Sequence, residues 1–140
     1  MSPSLARRER GLLDTSVVIE LPDLADPAVL PLGGVISAVT LAELSVGPLV
    51  AGDDHQRAVR QRRLQEVEGQ FDVLPFDAEA ARAFGRVGAS LRRAGRKAAA
   101  RTYDGMIAAI AIANDLPLYT CNAKDFAGIE GLELIAVPTS

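Results

Sequence analysis

The chain has 140 residues, 49% of them hydrophobic and 24% charged, with a formal net charge of −3, which fits one globular domain over residues 1–140 and excludes a disordered or fibrous chain. One cysteine rules out an internal disulfide. The longest apolar run, Met106 to Ala113, is too short to span a bilayer. With no secretory signal pattern, the expectation is a cytoplasmic protein without a membrane partner.

Taken in order, Met1 to Arg10 reads as a flexible tail, and Gly11 to Asp14 as a first strand. Pro22 to Gly34, with three prolines and two glycines, reads as a loop or short helix. A second strand is predicted over Val35 to Ala38. A helical stretch then runs from Thr40 to Glu68, interrupted around Gly47, Pro48 and Gly52. Phe71 to Leu74 is the third predicted strand. Asp77 has the chemistry of an N-cap for a helix over Ala78 to Arg93, which Gly95 ends. A last helix from about Arg101 to Asn114 is apolar nearly all round, so it is expected to be buried, with Ile107, Ile110 and Ala111 in the core. Pro117 to Thr120 and Leu132 to Val137 complete the strands. Strands separated by helices require parallel pairing. The fold class is therefore α/β: three layers, with a central parallel sheet of about five strands and helices on both faces.

Net acidity argues against a nucleic-acid partner, but the distribution of charge argues for one. Arg82, Arg86, Arg92, Arg93, Arg96, Lys97 and Arg101 lie between Glu79 and Asp104 with no acid among them. A phosphate backbone responds to the local field. The same run also suits a solvated helix face, and both readings stand at this point.

Open parallel sheets bind ligands at the carboxyl ends of their strands. Asp14 ends the first strand, Glu43 follows the second, Asp104 opens the apolar helix and Asp125 follows the fourth strand. Each has a structural explanation. Asp14 suits the N-cap of a short helix through Val17 to Leu21. Thr40 and Glu43 fit a capping box. Asp104 complements a helix dipole, and Asp125 is an ordinary loop acid. Together, however, four carboxylates on one sheet edge repel unless a cation offsets them. Oxygen ligands suit a hard divalent ion, magnesium or alternatively manganese, of the kind that serves phosphodiester chemistry. The lone Cys121 and lone His55 make no zinc cluster, and a buried, inert thiol is the expectation for Cys121.

The segments Leu-Leu-Asp-Thr-Ser (12–16), Ile-Ser-Ala-Val-Thr-Leu-Ala-Glu-Leu (36–44), Tyr-Asp-Gly-Met-Ile-Ala-Ala-Ile-Ala (103–111) and Leu-Tyr-Thr-Cys-Asn-Ala-Lys-Asp-Phe (118–126) resemble, in order and spacing, the PIN-domain ribonucleases, specifically the VapC toxins of bacterial toxin–antitoxin pairs. The resemblance implies a PIN-like fold and a magnesium-dependent endoribonuclease. It places the family's four acids on Asp14, Glu43, Asp104 and Asp125. Some PIN enzymes carry Asp where this chain has Asn122, so Asn122 is a further candidate as a neutral ligand or substrate contact. A cognate VapB-type antitoxin and a homodimer sharing a basic groove are also implied. Within the segment from Arg92 to Arg101, Arg93, Arg96 and Arg101 are the candidates for that groove, and Arg101 is the nearest to Asp104.

Three rivals are weighed against this. A dehalogenase-type phosphatase needs a second Asp two positions after the first, where this chain has Ser16. A receiver domain needs an early acid pair, which is absent, and a late Lys, for which Lys124 is a weak match. A PIN-fold RNA-binding or interaction module without turnover is the third, and the four intact acids argue against it.

Overall fold

The computed structural model describes residues 8–139. Five strands, β1 (Arg10–Leu13), β2 (Gly33–Ser37), β3 (Asp72–Leu74), β4 (Leu118–Thr120) and β5 (Leu134–Ala136), form one sheet in the order β3-β2-β1-β4-β5. Every neighbouring pair is parallel, with Leu12 opposite both Val35 and Leu118. Five α-helices accompany them: α1 (Thr15–Glu20), α2 (Ala38–Leu49), α3 (Asp54–Gln70), α4 (Ala78–Arg93) and α5 (Thr102–Ala113).

Side chains alternate across a strand, so each strand contributes to two cores. Leu12, Val35 and Leu118 join one core with Ala80, Ala83, Val87 and Leu91 of α4 and Ile107 to Ala111 of α5. Leu13, Ile36 and Tyr119 join the other, with Val17 and Val18 of α1, Leu44 of α2 and Val67 of α3. The expected three layers and the buried last helix are both present. Each fully buried Leu or Ile stabilises the fold by roughly 1.5–3 kcal/mol. The alanines of α4 and α5 let these two helices pack closely along each other.

Several local expectations change. Helix α2 starts at Ala38 because Ser37 is its N-cap, accepting from the Thr40 N–H at 3.0 Å. The capping box of Thr40 and Glu43 therefore does not form, and Glu43 lies in the second turn. Pro48 does not stop α2, which runs to Leu49, while Arg60 of α3 donates to the Gly47 carbonyl at 2.9 Å. The fifth strand covers only Leu134–Ala136. Of the expected tail, residues 1–7 lie outside the described ones. The Arg8 and Glu9 carbonyls accept from Leu32 and Gly33, and Arg10 opens β1. Asp77 does cap α4, accepting from the Ala80 N–H, and Gly95 follows its end at φ 74°.

From β1 the chain builds outward through β2 and β3, then resumes on the other side of β1 with β4 and β5. The direction of winding reverses between β1 and β4. Ligands of open α/β sheets bind at that crevice, beyond the carboxyl ends of the strands.

Candidate active site

Asp14 leaves the carboxyl end of β1 at this reversal point and is only 5% exposed. It occupies the N-cap position of α1, but its side chain makes no cap hydrogen bond. Its Oδ2 accepts instead from Ser16 Oγ at 2.7 Å and from Thr120 Oγ1, at the end of β4, at 2.8 Å. Both partners are neutral hydroxyls, so neither is a cation paired with the carboxylate. The Asp14 side chain therefore does not cap α1, and its hydrogen bonds go to Ser16 and Thr120.

Glu43 is half-buried and linked to the same region by hydroxyls. Thr15 Oγ1 donates to Glu43 Oε1 at 2.8 Å and lies 2.8 Å from Thr40 Oγ1, which in turn accepts from Ser37. Asp104 sits in the first turn of α5. Asp125 lies on a 3-10 turn, Ala123–Phe126, whose Phe126 is buried in the core beneath it. Burial, then the charges of Asp14 and Asp125, push the Asp104 carboxyl up from 3.8 to about 6, with Arg101 pulling the other way and Glu43 adding to the rise. The four acids thus share one electrostatic neighbourhood. Open cavities adjoin two of them, Glu43 and Asp104: one of about 480 Å³ lined by Glu43, Ala99, Thr102, Tyr103 and Asp104, and an apolar one of about 360 Å³ shared by Glu43, Tyr103 and Val39, Ala42 and Val46 of α2.

Among the described residues, no three carboxylate, imidazole or thiol groups stand arranged to hold a metal ion in this conformation. The positive charge in the cluster is Arg101, which donates to Asp125 Oδ1 at 3.0 Å and lies 3.8 Å from Asp104 Oδ2. The other basic candidates have partners other than the four acids. Arg93 pairs with Glu130 at 3.3 Å. Arg96 donates to the carbonyls of Lys124 at 3.0 Å and Ala127 at 2.8 Å. Asn122 is exposed, with its N–H bonded to Thr120 Oγ1. It lines a different cavity, with Ser16, Cys121 and Thr139. Cys121 is half-buried rather than fully buried, and burial raises its thiol, which disfavours a thiolate nucleophile. Sequence reasoning missed Thr15, Ser37, Thr40 and Thr120. Their signal was available, since hydroxyl residues follow or flank the ends of β1, β2 and β4.

The PIN domain family model matches residues 11–132. Ribonuclease VapC5 of Mycobacterium tuberculosis is 38% identical over 129 residues, 91% of this chain and 93% of its own. The tRNA(fMet)-specific endonuclease VapC of Shigella flexneri is 36% identical over 100 residues, 69% of this chain and 70% of its own. The solved structure of VapBC-5 from Mycobacterium tuberculosis, a member of the VapBC family of toxin–antitoxin systems, superposes with a TM-score of 0.78 at 38% identity, covering 92% of this chain and 99% of that one. The parallel sheet, the reversal point with Asp14 and these similarities agree: the chain belongs to the PIN-domain family, among the VapC ribonucleases.

Proposed function

We propose that this chain is the toxin of a VapBC-type pair, a magnesium-dependent endoribonuclease whose centre is Asp14, Glu43, Asp104 and Asp125. The observation that carries the proposal is the gathering of acids at the carboxyl edge of the sheet: buried Asp14 ends β1, Arg101 bridges Asp104 and Asp125, and burial first, then the charges of Asp14 and Asp125, raise the Asp104 carboxyl. PIN-domain nucleases are metal-dependent in general. The donors here are all carboxylate oxygens, which suit magnesium or manganese rather than zinc. Asp14, Asp104 and Asp125 would hold the ion. When bound, it supplies Lewis acidity toward the phosphate and an acidified water.

The chain's own groups supply the rest. Thr15 occupies Glu43 Oε1, which leaves Oε2 to orient the attacking water and take its proton. Ser16 and Thr120 fix the Asp14 carboxylate in one orientation. Arg101 is the group able to pass from the acids to a phosphate, since its planar donors suit either. The cognate partner is an antitoxin of VapB type, and exposed Val46, which lines the cavity at Glu43, with exposed Leu49 at the end of α2 and Val50 just after it, supports a protein partner there. A homodimer is part of the same proposal. Among the described residues no helix is long and apolar enough to cross a membrane.

The test is cleavage of a mixed RNA substrate with added magnesium or manganese, with and without excess chelator. Cutting that stops on chelation and resumes on repletion is the expected result. Undiminished cutting in chelator removes the metal from the mechanism.

A further inference from the structure

The basic run between α4 and α5 has a second structural role besides charge. Arg96 Nη1 donates to two carbonyls, Lys124 and Ala127, and these flank Asp125 on either side. The backbone supports the same contact. After Gly95, the Arg96 N–H closes back on the Leu91 carbonyl, which fixes where its side chain leaves α4. Just beyond Ala127, Gly128 turns at φ 88°, and a Cβ there would stand 2.8 Å from the Ala94 methyl. The chain passes so close to the end of α4 that only glycine fits. Further along, the Glu130 N–H reaches buried Ser90 Oγ at 3.4 Å, and Arg93 pairs with the Glu130 carboxylate. The end of α4 therefore grips residues 124 to 130 at four places.

We infer that Arg96 is a positioning residue for Asp125, clasping the 3-10 turn that carries this acid rather than lining a groove for RNA phosphates. The inference rests on the proposed role of Asp125. A single 3-10 turn has few internal hydrogen bonds to hold it. Phe126 anchors it from below, and Arg96 caps the carbonyls that point outward. Arg101 then meets the carboxylate itself. A guanidinium held by two carbonyls in this way has little freedom to track a passing phosphate.

The experiment compares the parent, Arg96→Ala, Arg96→Lys and Asp125→Asn, with the Arg96→Ala Asp125→Asn double variant. It reads amide exchange at Asp125 and Ala127, Mn2+ affinity by calorimetry, kcat and KM on RNA, and the salt dependence of RNA binding. In Arg96→Ala, exchange at Asp125 and Ala127 should rise about tenfold or more. Mn2+ affinity and kcat should fall by about 10–100-fold, the range for residues that support a metal ligand. KM and the slope of log affinity against log salt should not move. Arg96→Lys should recover part of the Mn2+ affinity. In the Asp125→Asn background Arg96→Ala should change kcat no further, because the two act through one carboxylate. Unchanged exchange, full additivity with Asp125→Asn, or a salt slope lowered by about one phosphate contact would overturn the inference. A parent that neither binds Mn2+ nor cuts RNA overturns the functional proposal instead, and the exchange rates still report on the clasp.

Discussion

The two halves of the proposed acidic site are held by opposite means. Asp14 and Glu43, beside the central strands, are fixed by neutral hydroxyls: Ser16 and Thr120 on one, Thr15 on the other. Asp125, on an outlying turn, is held by cations, with Arg101 on its carboxylate and Arg96 on the carbonyls of Lys124 and Ala127 to either side of it. Hydroxyls orient a carboxylate and leave its charge in place. A guanidinium cancels that charge and must give way before a metal or phosphate uses it. One half is preorganised by the sheet, and the other is set by a contact that the proposed metal or a phosphate would have to rearrange. Asp104 lies between them and feels both, raised by Asp14 and Asp125 and lowered by Arg101.

The largest expected effect belongs to the preorganised half. Asp14→Asn should lower cleavage by about 10²–10³-fold or more. The metal-free fold should change by no more than about 1 kcal/mol, since an amide oxygen still accepts from Ser16 and Thr120. Magnesium at a hundredfold excess over its dissociation constant should stabilise the parent by about 2.7 kcal/mol, and the variant far less. Thermal melts and RNA cleavage together decide this. Retained activity with equal magnesium shifts would leave Asp14 as no more than the start of α1. Next, Thr15→Val removes the donor to Glu43 Oε1 while keeping shape. A loss of about 10–100-fold in kcat, with about 1 kcal/mol or less in stability, is expected if orientation of Glu43 matters. No change in kcat would mean that the hydroxyl wiring is incidental.

The smallest effect tests the region between the halves. The folded-state pKa of Asp104, about 6, exceeds its ordinary 3.8, so the metal-free folded protein holds an extra proton between these values. Stability from this group should fall as pH rises from about 4 to about 6, and the full cost of roughly 1–3 kcal/mol should be present above that. Urea melts of the metal-free parent and of Asp104→Asn across that range should show the difference, with the variant lacking this part of the slope. Saturating magnesium should remove it from the parent as well, because a cation offsets the repulsion. Identical slopes in parent and variant would take Asp104 out of the shared neighbourhood.

The preorganised half was also the legible one. Asp14 and Glu43 follow strands whose short apolar runs are visible in sequence, and period-2 alternation at Leu12–Leu13 and Val35–Ile36 sets the layers. Asp104 was legible for a similar reason, as the acid opening an all-apolar helix. The cationic half was not. Whether an arginine between residues 92 and 101 faces a phosphate, an acid or a carbonyl depends on a loop some thirty positions later, where Arg96 meets Ala127 over 31 residues. Local pattern carries no signal for such a contact. The capping box at Thr40 misled for a different cause, since Ser37 has the same cap chemistry and comes first along the chain.

Because all five strands run the same way, the turns that enter them lie together on the edge opposite the acids: Glu9, Leu32, Phe71, Pro117 and Glu133 each stand just before a strand. That edge is the natural place for the protein to vary. Asp115 sits there, in a left-handed conformation at φ 54° that a glycine adopts more easily. A lineage that exchanged it would gain folding stability far from the chemistry, a reserve against which the mutual repulsion of the four acids could be tolerated. Fusions and inserted tags belong on the same side. Evolution and the protein engineer are thus offered one edge to alter and one to leave alone.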